Sequence, residues 1–235
     1  MRLERNMRYI RKAQNRGKAD FGWLQSQHSF SFGRYYDPAH MGFGNLRVIN
    51  DDTVLGGHGF DTHGHRDMEI ISYVIDGELA HQDSMGNQFT LAAGEVQRMS
   101  AGSGILHSEY NASKTAPAHF LQIWIEPKFK GITPSYEQIQ IKQSSALTPI
   151  VTPTGAQGTL SINAEAEIHR LQLHQGQQIE LNAHAQKAYL HIVGGEATLD
   201  GEAFQQGDGI GLNAGDNMQV TAVTDVEALW FLLLN

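Results

Sequence analysis

Gly102-Ser103-Gly104-Ile105-Leu106-His107-Ser108-Glu109-Tyr110-Asn111, with Gly57, His63-Gly64-His65 and Glu69 upstream of it, decides how this chain is read. His63 and His65 stand two positions apart, and so do His107 and Glu109. Alternate side chains on a β-strand share a face, so each pair points one way. Two such strands side by side converge three imidazoles and a carboxylate on one point. Nitrogen and oxygen donors without sulfur suit iron, nickel, copper, manganese or cobalt, and they also admit zinc. Four protein donors on a six-coordinate ion leave two positions open, which suits a catalytic or small-molecule site better than a closed structural one. Glu69 competes for the carboxylate role, because its odd number places it on the same face as His63 and His65 if one strand runs through all three. The spacing of Glu109 from His107 repeats that of His63 from His65, which favours Glu109 and leaves Glu69 as a partner that orients an imidazole. The other histidines, His81 among them, lack paired spacing and read as surface or hydrogen-bonded core residues; His58 lies nearest the motif.

Around these motifs the chain is β-rich. Leu46 to Ile49, Ile70 to Ile75, Phe120 to Ile125, Glu167 to Leu173, Ala188 to Val193 and Ala228 to Leu234 are short apolar or alternating runs, and Met7 to Lys12 reads as a first strand. Asp76-Gly77, Gly194-Gly195, Asp200-Gly201 and Asp208-Gly209 punctuate them as turns. Many short strands without a long 3.6-period stripe argue for antiparallel barrels or sandwiches. Tyr73-Val74-Ile75-Asp76-Gly77-Glu78 and Leu190-His191-Ile192-Val193-Gly194-Gly195-Glu196 suggest a duplicated unit. Pro134, Pro149 and Pro153 mark the junction, giving an N-terminal barrel over 1–135 and a C-terminal one over 136–235, with the strand Tyr136 to Ile141 expected to cross between the halves. Aligning Gly77 on Gly194 puts Glu180, Asn182 and Gln186 where His63, His65 and Glu69 stand, and no histidine follows Asp208. The second barrel is therefore expected to be degenerate, without a metal site, and to have a structural role.

The two histidine motifs closely resemble those of the cupin superfamily, small antiparallel β-barrels that hold a metal. The first departs by one residue, with seven rather than six between Glu69 and Gly77, and the second has Gly102 where proline is usual; neither departure touches a ligand position. His63-Gly64-His65-Arg66-Asp67-Met68-Glu69, His81-Gln82-Asp83-Ser84, Gly104-Ile105-Leu106-His107-Ser108-Glu109 and Leu121-Gln122-Ile123-Trp124-Ile125 narrow the resemblance to the pirin family of two-cupin proteins. The resemblance implies metal ligands at His63, His65, His107 and Glu109. It implies one divalent transition metal, Fe(II) before Mn, Co, Ni, Cu or Zn. It also implies quercetin 2,3-dioxygenase activity, in which the central ring of a flavonol is opened with both atoms of O2 and carbon monoxide is released. In that chemistry Glu109 is the catalytic candidate, able to accept the 3-hydroxyl proton. Phe43, Phe60, Phe120 and Trp124 are candidates for an apolar wall. The alternative the family implies is a metal- or redox-sensing regulatory protein that binds a protein partner.

Composition bounds these readings. The 235 residues carry a net charge of −8, with 17 Lys+Arg against 25 Asp+Glu, which argues against direct nucleic-acid binding. The basic opening, Arg2 to Lys18, is a local exception and reads as a solvated strand and loop. Cysteine is absent, which excludes disulfides, thiol catalysis and Cys-ligated metals. No apolar run is long enough to span a bilayer and no signal peptide is visible, so a cytoplasmic protein is expected. Met7 is an alternative translation start.

Overall fold

The computed structural model describes residues 8–233; the expected alternative start at Met7, and Leu234 at the end of the last expected strand, lie outside them. Nearly everything described is strand or turn, apart from two short 3-10 segments. No described helix is long and apolar enough to cross a membrane.

The strands, in order, are β1 (Tyr9–Arg11), β2 (Gly17–Asp20), β3 (Leu24–His28), β4 (Leu46–Val54), β5 (Gly59–His65), β6 (Glu69–Asp76), β7 (Glu78–Asp83), β8 (Gln88–Ala92), β9 (Glu95–Ser100), β10 (Ile105–Asn111), β11 (Ala118–Ile125) and β12 (Ser135–Gln140). They continue with β13 (Leu147–Thr152), β14 (Leu160–Ser161), β15 (Ala166–Leu173), β16 (Gln178–Asn182), β17 (Lys187–Gly194), β18 (Glu196–Leu199), β19 (Glu202–Gln205), β20 (Gly209–Leu212), β21 (Asn217–Ala222) and β22 (Val226–Leu233). The chain divides into two compact bodies: the first holds Gly17–Lys142 and Ile150–Ala166, the second residues 8–16, Gln143–Pro149 and residues 167–233.

In the first body a large sheet ordered β12-β9-β6-β11-β4-β3-β2 accompanies a four-stranded sheet ordered β5-β10-β7-β8. The second body repeats the plan, with β1-β20-β17-β22-β15 in its large sheet and β16-β21-β18-β19 in its small one. These are the two cupin-type units, built as pairs of open sheets in jelly-roll fashion rather than as closed barrels. The strand expected to cross between the halves does not: β12 pairs with β9 inside the first body, Gln138 opposite Gln97. The same edge position in the second body is filled by β1, with Tyr9 opposite Gly211 and Arg11 opposite Gly209.

The basic opening is correspondingly less solvated than its composition suggests. Arg11 and Arg16 are buried. The Lys12 ammonium is 3.0 Å from the Asp208 carboxylate, and the Ala13 N–H donates to that carboxylate at 2.7 Å. A buried carboxylate needs such compensation, and this one recruits the start of the chain.

Strand register sets the alignment of the two bodies. Gly77 and Gly195 both take a left-handed φ, at 78° and 84°, and a Cβ on either would collide with backbone, of Ala118 and Pro117 in one case and of Asp225 in the other. Gly77 therefore matches Gly195, one residue beyond the alignment read from sequence. Ser72 stands opposite Gln122 and Gln97; Leu190 stands opposite Trp230 and Ile210. His107 faces His63, and Glu109 faces His81; Met218 faces Leu181, and Val220 faces Leu199. Each polar residue of the first set is replaced by an apolar one in the second.

The cores differ accordingly. In the second body a continuous apolar cluster includes Leu181, Leu190, Leu199, Ile210, Met218 and Trp230. Glu180 and Asn182, set against His63 and His65 by the sequence alignment, are exposed on β16, whose inward residue is Leu181. The apolar clusters of the first body include one with Leu24, Val54, Val74 and Phe120 and another with Ile70, Met99 and Ile105. A polar row runs between them across the large sheet, from His28 through Asn50, Gln122, Ser72 and Gln97 to Gln138.

Candidate metal centre

Three strands of the small sheet carry the site, and alternation aims its residues. On β10 Ile105, His107, Glu109 and Asn111 are buried between more exposed neighbours. On β7 Leu79, His81 and Asp83 are buried in the same way. On β5 His63 and His65 are half-buried on either side of exposed Gly64. The structure brings His63, His65 and His107 together, with one ligand nitrogen from each inside a 4.8 Å cluster. A second group of the same size joins His107 to Glu109 and His81. His107 belongs to both.

The nitrogen lone pairs suit a cation. The His63 Nδ1–H donates to the Asp61 carbonyl at 2.7 Å, which leaves Nε2 bare, and that Nε2 is 3.1 Å from Nε2 of His107. Burial, then the neighbouring imidazoles, lowers His65 to about 4 and His107 to about 3, so both are neutral at physiological pH. The three imidazoles, packed with ring centroids 4.5–4.9 Å apart, form a donor set that fits a divalent metal.

Glu109 is 2 % exposed and held on both oxygens. Ser72 Oγ and Gln97 Nε2 each donate to Oε1 at 2.9 Å, and Gln122 Nε2 donates to Oε2. Tyr136 Oη in turn donates to Gln97 Oε1 at 2.8 Å, fixing which way that amide faces. The middle of the polar row, Ser72, Gln97 and Gln122, is thus the cradle of one carboxylate, and its apolar counterpart in the second body has no such group to hold. Sequence reading missed Ser72, Gln97 and Gln122; the available signal was a lone polar residue inside an otherwise buried strand.

Glu69 behaves differently from its expected role. It touches no imidazole: its Oε2 accepts from Ser100 Oγ at 2.7 Å and from the Asn163 backbone N–H at 3.2 Å, while Oε1 is buried without a partner. Burial raises its pKa. The parity argument fails because His65 and Glu69 lie on separate strands, with Asp67 between them at a left-handed φ of 49°. His81 is the converse case, an unpaired histidine in the sequence that the fold places beside His107. His58 stacks on Trp23 at a centroid distance of 6.2 Å.

A cavity of about 370 Å³ opens over His63, His65 and Glu109, within the range of small-molecule sites. Of the four expected wall residues, Phe60 and Trp124 line it. Phe43 does not, and Phe120 is fully buried in the core. Phe21, Phe32 and Tyr35 supply the remaining aromatic wall, and Lys18 and Arg34 bring positive charge. Trp124 meets both Phe32 and His65 edge to face, at 5.3 and 5.0 Å.

Asp52 also lines the cavity, with Oδ1 buried and unpartnered. Burial pushes its carboxyl from 3.8 up to about 7, over the opposing hydrogen bond from Ser26. A carboxyl whose pKa is raised on folding contributes stability that is complete below about pH 4 and lost as pH rises through about 7. Asp52→Asn should therefore gain on wild type between those limits, at about 1 kcal/mol per pH unit, with a constant difference above them. Urea unfolding at pH 4, 5.5, 7 and 8 reads this directly; a pH-independent difference refutes it.

The chain matches the family model "Pirin" over residues 9–125 and "Quercetinase C-terminal cupin domain" over residues 149–233. It is 44% identical over 226 residues to a quercetin 2,3-dioxygenase of Escherichia coli K12, covering 96% of this chain and 98% of that protein. The crystal structure of YhhW from Escherichia coli superimposes with a TM-score of 0.93 at 44% identity, over 97% of both chains. The bacterial pirin YhhW from the same organism in complex with nickel(II) gives 0.92 at 43% identity, over 97% of this chain and 99% of that one. With a paired two-cupin plan, a histidine cluster that lies, among the described residues, in the first cupin, and similarity along nearly its whole length, this chain belongs to the pirin family.

Proposed function

We propose that this protein is a metal-dependent quercetin 2,3-dioxygenase, with His63, His65, His107 and Glu109 as the metal ligands and the aromatic cavity above them as the flavonol site. The observation that carries the reading is the junction of these two features: a cavity with aromatic walls that opens on His63, His65 and Glu109, with His107 clustered beside the first two. The relatives named quercetin 2,3-dioxygenase, and the nickel(II) complex of a pirin, support it.

A bound divalent metal would supply Lewis acidity toward a flavonol oxygen and an electronic route to O2. Fe(II) is the ion we propose to work here, since imidazole and carboxylate donors suit it and the reaction requires redox chemistry. The protein's own residues do the rest. Phe32, Phe60 and Trp124 sandwich a flat aromatic ligand and exclude water. Lys18 and Arg34 favour an anionic or ionising polyphenol. Glu109 takes the 3-hydroxyl proton, and Gln97 and Gln122 fix its orientation. The ring then opens with both oxygen atoms incorporated and carbon monoxide lost.

Protein stripped of metal and reloaded anaerobically with Fe(II), Mn(II), Co(II), Ni(II) or Cu(II) should consume quercetin on admission of O2, releasing one carbon monoxide per flavonol. Absorbance decay and carbon monoxide detection measure this. Tight metal binding without quercetin loss under any of these ions would reject the enzyme reading in favour of a metal-sensing, partner-binding pirin.

A further inference from the structure

The motif His81-Gln82-Asp83-Ser84 has no part in the ligand set, yet the fold places two of its side chains against it. His81 and Asp83 have fully buried side chains, and His81 Nε2 is 3.1 Å from Asp83 Oδ2. Asp83 is itself fixed by the backbone N–H groups of Met85 and Asn87 and by the Asn87 side-chain amide. Burial acts to raise its pKa, but these bonds and the one from His81 together outweigh it and lower the pKa, so it is a carboxylate and accepts. His81 therefore carries a proton on Nε2, and a second one on Nδ1 would be a buried donor without an acceptor, so that nitrogen is assigned as the lone pair. That Nδ1 is buried without a hydrogen-bond partner.

His107 has a matching vacancy. Its ring centroid is 5.4 Å from that of His81, and its Nδ1 is also buried without a partner. The two rings face each other at a tilt of 51° without a hydrogen bond between these nitrogens, and their tautomers supply no donor for one. His63 has its proton on Nδ1, facing the Asp61 carbonyl, so its Nε2 can only accept. The short contact between the two Nε2 atoms then requires His107 to donate from Nε2, which leaves a lone pair on His107 Nδ1. Two lone pairs cannot bond.

We propose that Asp83 and His81 form a positioning relay for His107, closed only when a metal is bound. Resting on the assignment of His107 as a ligand, the relay works by a change of tautomer. Ligation through Nε2 requires that nitrogen to be bare. Its proton leaves to solvent and another is taken up on Nδ1, with no net change in protonation. The new Nδ1–H of His107 gives the pair its donor, and a small rotation of the His107 ring closes a bond to the lone pair of His81, whose orientation Asp83 holds. Such outer partners of ligating histidines fix ring orientation and raise donor strength, and removing one typically weakens metal binding by about 10–100-fold.

The test uses wild-type protein labelled with 15N-histidine, recorded metal-free and loaded with Zn(II), by long-range 1H–15N correlation. His81 should be the Nε2–H tautomer in both states, and His107 should change from Nε2–H to Nδ1–H on loading. Isothermal titration with Zn(II) should show His81→Leu weakened by about 10–100-fold, and His81→Asn, whose side-chain oxygen stands near the place of Nδ1, should recover most of the loss. Zn(II) bound directly by His81, or unchanged Zn(II) affinity in a folded His81→Leu variant, overturns the relay. So does a His107 Nδ1 that stays unprotonated on loading. If His81→Leu does not fold, the wild-type spectra decide. A wild-type protein that takes up no Zn(II) overturns the ligand assignment itself, which separates that failure from failure of the relay.

Discussion

His107→Ala should abolish tight binding of Co(II) or Ni(II) and lower quercetin turnover on the order of a thousandfold or more, the scale expected when metal-based catalysis is lost. Its position is the reason. His107 alone belongs to both groups of possible ligands, one with His63 and His65 and the other with His81 and Glu109. Loss of any other member leaves one of the two triads complete, whereas loss of His107 breaks both. The variant should fold, because an imidazole kept neutral by burial has no ion pair to forfeit. His174→Ala is the control: that ring is 84% exposed and pairs only with Asp225 in the second body. Calorimetric metal titration and carbon monoxide yield distinguish the outcomes. Retention of both in His107→Ala would remove the proposed centre from the first body altogether.

Trp230→Ala should destabilise the second body by about 3–5 kcal/mol, the cost of emptying a large buried site that cannot collapse. Trp230 is 2% exposed and stands where the first body places Gln122. In the first body that position serves a buried carboxylate, and its polarity is compensated by Glu109. In the second body the indole fills the same volume by dispersion and burial alone, against Leu190 and Ile210 in one continuous cluster. Urea unfolding followed by intrinsic fluorescence of the remaining tryptophans, Trp23 and Trp124, and by circular dichroism should show the lower-stability transition move while metal binding by the first body persists. Two bodies need not unfold in one step, so both probes are required. A loss below about 1 kcal/mol would show that this core repacks around the gap.

The convergence of the histidine pairs and the β-rich duplicated plan were legible because they depend on period-two alternation and on glycine punctuation, both local properties of the chain. The His63/His65 and His107/Glu109 pairs needed only a strand to become convergent. What the sequence hid depended on register. Glu69 shares parity with His65, but the left-handed backbone at Asp67 ends one strand and starts another, and no residue type announces that break. His81 looks solitary in sequence and becomes a neighbour of His107 only through pairing of β7 with β10. Ser72, Gln97 and Gln122 lie on three strands and acquire a purpose only when those strands stand side by side. The alignment of the two halves slipped by one residue because Gly194-Gly195 offers two glycines, and only the backbone dihedral tells which one is the turn.

The strand β1 has a consequence for the order in which the protein can be made. Its partner is β20, and Lys12 meets Asp208 across 196 positions of sequence. The first body emerges from the ribosome as a nearly continuous segment and can fold while synthesis proceeds. The second must hold residues 9–11 in reserve until β20 arrives, and its large sheet lacks a central strand until β22 follows. A fragment cut at the apparent junction near residue 143 would carry β20 with an open edge and an Asp208 carboxylate stripped of its cation. Such an edge invites pairing between copies. The N-terminal body is the one to express alone, and the C-terminal body should need residues 8–16 supplied, in cis or as a peptide, to remain soluble.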